Sequence, residues 1–228
     1  MKVLFDHLQK TGGTALLAFF GSHLGESKVS PLILHEDIRF AAGLLDRFVV
    51  VGGHLDLGPG YDWDASIYHV TVLRDPIERF LSHYSYSREQ PDATDPFAVL
   101  ARRHDIATLL RLGDKDVLRT AGNFYIRHFA HAFSVHAPMA PAELLTAMER
   151  RYSLIGISER MDDVARMICV ALGLDAGGTV RPVRVTQNRL RQTDLDRETL
   201  ALLRELTSGD HELYQLAAAR FATIRICE

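Results

Sequence analysis

The chain has 228 residues, 47% of them hydrophobic and 24% charged, with a formal net charge of −3. That length suits one large domain, and a single domain over residues 1–228 is expected. The charge balance does not ask for nucleic acid or an anionic membrane as partner, and no apolar run approaches the ~18 residues of a membrane span. Cys169 and Cys227 are the only cysteines, too few for a disulfide framework or a zinc site. Cys169 sits in an apolar helical run and reads as a small buried hydrophobe. Met1 and Lys2 lead directly into the first apolar run, without a signal peptide. A cytoplasmic protein is the expectation.

The stretch Val3 to Phe20, VLFDHLQKTGGTALLAFF, reads as a strand, a tight glycine turn and a helix. Val3, Leu4, Phe5 and Leu8 have strand character. Gly12 and Gly13 let the backbone turn sharply and approach a ligand closely. Thr14 stands where a helix N-cap belongs. A helix N-terminus beside glycines is a ready anion site. Lys10 adds a charge, and the hydroxyls of Thr11 and Thr14 add donors. A Walker A loop places its lysine after the glycines; here Lys10 precedes them.

Leu32 to Leu45 has near-helical spacing, and Phe48 to Val51 reads as a strand covered on both faces. That strand ends in Gly52-Gly53-His54, and Leu57 to Gly60 follows as loop. Ser66 to Leu73 is a third strand running into Arg74-Asp75-Pro76. Asp75 is a good N-cap and Pro76 a good first helical residue. Ile77, Phe80, Leu81 and Tyr84 then give the helix an apolar face. Gln90 to Pro96 breaks the chain before a helix over Phe97 to Leu112. Asp114 to Phe133 reads as helix and loop, Pro138 to Pro141 as a break, and Ala142 to Arg151 as helix. Tyr152 to Ile157 is a fourth strand, followed by a helix from Asp162 to Leu172 and a loop from Gly173 to Arg184. Leu195 to Leu206 and Asp210 to Ile224 close the chain as helices.

Alternation of strands and helices predicts an α/β fold with a central parallel sheet and helices on both faces. Ligands in such sheets sit at the carboxyl ends of the strands. Lys10, His54 and Arg74 all fall at predicted strand ends, which points to one shared site. Arg74 there has the forked geometry to hold a phosphate. Ser82 lies six residues beyond Pro76, roughly 9 Å along the helix, off its apolar face, where its hydroxyl can reach the same phosphate. Arg79 is expected to make a structural ion pair instead.

The order K-T-G-G-T resembles the 5′-phosphosulfate loop of sulfotransferases, and VTVLRDPIERFLSHY resembles their 3′-phosphate motif. The chain is similar to the carbohydrate-type sulfotransferases, sulfotransferase family 2, the group that includes heparan sulfate 2-O-sulfotransferase. NFYIRHF from Asn123, YSLIGISER from Tyr152 and DHELYQLAAARF from Asp210 extend the likeness, thinly, along most of the chain. Gln9 departs from the proline usual in these loops. The resemblance implies a P-loop-like sheet and 3′-phosphoadenosine 5′-phosphosulfate (PAPS) as sulfuryl donor. It implies that the histidine of Gly53-His54 is the base. It also implies that Thr186 to Thr193 closes over the nucleotide, with Arg189 and Arg191 on its 3′-phosphate or adenine.

The expected reaction is in-line attack of an acceptor hydroxyl on sulfur. Lys10 neutralises the bridging oxygen, the amides of Gly12, Gly13 and Thr14 hold the 5′-phosphate, and His54 takes the proton. Asp56 is the runner-up base. Asn123 and Arg127 are expected to line the acceptor cleft, or else to pack. The acceptor is a saccharide or another hydroxylated small molecule. The scheme requires no metal, and His128, His131 and His136 lack an evident carboxylate or cysteine to complete a metal site. His7 precedes the loop and is expected to brace it. Two other readings stand beside this one: a P-loop-type nucleotide kinase, and a non-catalytic binder of nucleotide or anionic glycan.

Overall fold

The computed structural model describes residues 1–224 except 59, 134–138, 176, 184 and 185. Cys227, His136, Pro59, Pro138 and Arg184, each touched on above, lie outside the described residues. A five-stranded parallel sheet has the order β2-β3-β1-β4-β5. Its strands are β1 (Lys2–Asp6), β2 (Ile33–Asp37), β3 (Val50–Asp56), β4 (Ile67–Leu73) and β5 (Leu154–Ile157). The first half contributes helices α1 (Gly13–Leu24), α2 (Ile38–Gly43) and α3 (Pro76–Arg88). Next come α4 (Pro96–Arg103), α5 (Ile106–Arg111), α6 (Lys115–Ala121), α7 (Phe124–Ala132) and α8 (Pro141–Glu149). The chain closes with α9 (Met161–Leu172), α10 (Arg197–Leu206) and α11 (Ser208–Thr223). Among the described residues no helix is long and apolar enough to cross a membrane.

Consecutive strand residues point to opposite faces. Val3, Leu4, Phe5 and Asp6 are all buried, so the central strand is covered on both sides. Phe5 lies on the α1 face, because it and Leu17 of α1 crowd the space beside Gly52. Asp6 lies on the other face, where it meets His128 of α7 and Tyr152. The α/β expectation of a parallel, P-loop-like sheet with helices on both faces therefore holds.

Three local expectations are corrected. The first concerns Leu32 to Leu45, which contains edge strand β2 before the short helix α2. Its exposed Leu34, His35 and Glu36 break the usual alternation, and the register with β3 slips at His35, whose φ is 57°. Such an edge strand is paired on one side only, so no periodic apolar signal marks it. Secondly, β3 runs on through Gly52, Gly53 and His54 to Asp56. At these glycines there is no room for a side chain: a Cβ at Gly53 would lie 2.3 Å from the Ile33 carbonyl, and one at Gly52 would lie 2.9 Å from Leu17. They let β2 and α1 pack closely. Lastly, Phe97 to Leu112 is two short helices. Asp105 caps the second through the Thr108 amide, a local signal that apolar spacing hides.

Candidate functional site

The loop between β1 and α1 is held from inside. Gly12 has φ 90° and takes the N-cap position, so Thr14 falls in the first turn instead. Thr11 is fully buried and its hydroxyl donates to the Leu8 carbonyl at 2.8 Å. That hydroxyl is committed to the protein and is not a donor offered outward. The Gly13 amide donates to Nε2 of His7 at 3.1 Å. It too is engaged, which corrects the expectation that it serves the ligand. Gly13 must lack a side chain, since a Cβ would sit 2.2 Å from the His7 ring. Gly12 and Thr14 remain at the helix start, where backbone amides have no intrahelical acceptor.

His7 is thus the brace of the loop. Burial, with the nearby charges of His54 and Lys10, pushes its pKa down to about 3. It stays neutral, as a nitrogen accepting from an amide requires. Its ring lies 4.6 Å from that of His54.

His54 projects from β3 and is half-buried. Its Nδ1 meets the His7 carbonyl at 2.6 Å. A carbonyl only accepts, so Nδ1 carries the proton and Nε2 is left as the acceptor nitrogen. Burial lowers the His54 pKa, opposed by the bond to His7 and reinforced by His35 and Lys10. Asp56, the other candidate base, is 67% exposed and lies 3.7 Å from His131.

Lys10 also adopts positive φ, 67°. Its carbonyl accepts from Nη1 of Arg74 at 2.9 Å. Its ammonium lies 3.7 Å from the centre of the Tyr86 ring, a cation–π contact. Arg74 follows β4 directly, as expected, and is largely buried. Its amide and carbonyl are both bonded to the Tyr125 hydroxyl. Burial, then the charge of Arg189, lowers its pKa. Asp75 caps α3 through the Glu78 amide, with Pro76 at the first turn.

Arg189 reaches the same place from a distant loop. It pairs with the Glu78 carboxylate, which also lies 3.9 Å from Arg74. Two arginines therefore converge on one carboxylate. The loop is fastened along α3: the Leu190 amide donates to Ser85, that of Asn188 to Glu89 and that of Gln192 to Glu78. Ser82, on the same helix, is buried. Arg191 is exposed, and its amide bonds Asp194 within the loop; it is not gathered with Arg74 and Arg189.

Beside the loop opens a cleft of about 680 Å³. Gln9, Tyr86, His35, His83, Arg79 and Arg127 are among its walls. His83 is pushed down to about 3 by burial, with Arg79, Lys10 and His54 adding to the shift. Arg127 lines the cleft as expected. Asn123 does not: its side chain accepts from the Asp210 amide at 3.0 Å, while the Asp210 carboxylate accepts from the amides of Tyr125 and Ile126. The two residues tie α7 to α11, a packing role. His128 and His131 line the cleft. His128 bonds the buried Asp6 at 3.1 Å, and Tyr152 donates to the same oxygen. Among the described residues no group of three or more histidine, cysteine or acidic side chains is arranged to hold a metal ion.

No protein-family model matches the chain, and no curated protein matches it by sequence. Among solved structures it is similar in overall shape to a sulfotransferase from Alicyclobacillus acidocaldarius. That match has a TM-score of 0.47 and 14% identity, and covers 94% of this chain and 98% of that one. Another is mouse sulfotransferase SULT7A1 complexed with PAP, with a TM-score of 0.40 and 15% identity, covering 97% of this chain and 82% of that one.

Proposed function

We propose that the chain is a sulfotransferase that moves a sulfuryl group from PAPS to a hydroxyl of a saccharide or another small molecule. One observation carries the reading. Two hydrogen bonds tie together the carboxyl-terminal regions of three neighbouring strands: Arg74, directly after β4, to the Lys10 carbonyl, and His54, within β3, to the His7 carbonyl after β1. A lysine at a glycine loop, a strand-end arginine and a histidine with a vacant ring nitrogen are the groups sulfuryl transfer needs.

The acceptor oxygen attacks sulfur, the bond from sulfur to the bridging oxygen breaks, and the nucleotide 5′-phosphate leaves. The acceptor proton passes to Nε2 of His54. Lys10 offsets the charge that builds on the bridging oxygen. The amides of Gly12 and Thr14 at the helix start favour the 5′-phosphate. Arg74, Ser82 and Arg189 are suited to the 3′-phosphate, which would take over from Glu78 as the anion between the arginines.

Calorimetry with 3′-phosphoadenosine 5′-phosphate (PAP) and with adenosine 5′-phosphate tests the donor. The first should bind far more tightly; equal affinities would sink the assignment. Transfer of labelled sulfate from PAPS to a panel of hydroxylated acceptors tests turnover.

A further inference from the structure

We propose that the cleft contains a subsite for an anionic group of the acceptor, centred on Arg79 and Arg127. This rests on the sulfotransferase reading for the word acceptor, but the subsite itself is argued from the cleft alone.

Arg79 of α3 is 1% exposed. A buried guanidinium is costly unless hydrogen-bonded and paired with opposite charge. It donates to the Thr120 carbonyl and lies 4.2 Å from the centre of the Phe124 ring. Its Nε is buried without a hydrogen-bond partner. Among the described residues no carboxylate forms an ion pair with it; the nearby Asp210 spends both oxygens on backbone amides. The ion pair expected from the sequence is replaced by a charge facing the cleft with part of its donor set unused.

The rest of the wall has the same sign. Arg119 and Arg127 line the cleft with Arg79, Arg119 being paired with Asp116 at 3.1 Å, and among the described lining residues Asp95 is the one carboxylate. Asp95 is occupied in capping α4 through the Ala98 amide. The chain as a whole carries −3, whereas Arg79 and Arg127 leave this wall with an excess of positive side chains. An anion entering this cleft meets that charge at close range. Phe97, Phe124 and Tyr86 add apolar walls. The volume suits a compact ligand. The ligand class is a hydroxylated molecule bearing a carboxylate or a sulfo or phospho group, small enough to sit within the cleft.

Four matched phenols test this: 4-hydroxybenzoate, 4-hydroxybenzenesulfonate, 4-hydroxybenzamide and 4-hydroxybenzylamine. Each is titrated by NMR into the full chain, with and without saturating PAP. The two anions should bind about tenfold or more tighter than the amide and the amine, the worth of a charge-assisted hydrogen bond. The carboxylate and sulfonate arms distinguish a planar from a tetrahedral anion. Arg127→Gln, on a partly exposed side chain, should reduce the preference, and Arg79→Lys should reduce it further. Affinity for PAP should not change in either variant. Equal binding of all four phenols, or no binding of any at millimolar concentration, overturns the subsite even when PAP binds. A preference that persists in both variants overturns the assignment to these arginines. Failure of PAP to bind while the anion preference remains would defeat the donor reading and leave the subsite standing.

Discussion

Nδ1 of His54 lies 2.6 Å from the carbonyl oxygen of His7. The bond fixes the tautomer of His54 and leaves Nε2 as its basic nitrogen. His54→Ala should keep PAP affinity and lower turnover by roughly 10²–10⁴, the usual worth of a general base. Because burial lowers the His54 pKa, the rate should rise with pH through a midpoint below the ordinary histidine value of 6.5 and then level off. Single-turnover rates across pH check both points. A variant within a few-fold of the parent would move the search to Asp56.

Acid should weaken the fold early. His7 and His83 are buried and neutral, with pKa values pushed down to about 3 from 6.5. Between those values the unfolded chain binds more protons than the folded one. Stability is therefore full above about pH 6.5 and falls as pH drops towards 3. Urea midpoints at pH 7 and pH 5 should show the loss before ordinary carboxylates titrate. Midpoints unchanged over that interval would contradict the burial of these rings.

Arg74 has two tasks, since it supports the Lys10 carbonyl and presents its guanidinium beside Arg189. Arg74→Ala should cost about 1.5–3 kcal/mol in PAP binding, the range for a charge-assisted hydrogen bond. Calorimetry gives the number. A loss below about 0.5 kcal/mol, the low end for any hydrogen bond, would place the 3′-phosphate elsewhere.

Gly13 tests the inner brace of the loop. A methyl group there meets the His7 ring at 2.2 Å, and a clash in a packed interior typically costs about 1–3 kcal/mol. Gly13→Ala should lower stability by that amount and weaken PAP binding, because His7 must shift and the loop with it. Denaturant unfolding and calorimetry on the same protein read the two effects. A stable variant with parental affinity would show that the contact is dispensable.

What the amino-acid sequence determined by itself is what short-range chemistry controls. Apolar runs mark β1, β3 and β4, the glycine pair marks the turn into α1, and Asp75-Pro76 starts α3 through a bond three residues long. Lys10 and Arg74 could be picked out because strand ends in a parallel sheet are where such residues gather. Tertiary structure decided the rest, since the deciding bonds join distant parts of the chain. His54 meets His7 across 47 positions, Arg189 meets Glu78 across 111, and His128 meets Asp6 across 122. No periodicity encodes such pairs. The sequence likewise did not show that Thr11 and the Gly13 amide face inward, that Asn123 serves packing, or that Arg79 is buried with an unused donor. Those outcomes depend on which groups the packed fold brings within hydrogen-bond reach, and that is set by contacts between distant parts of the chain.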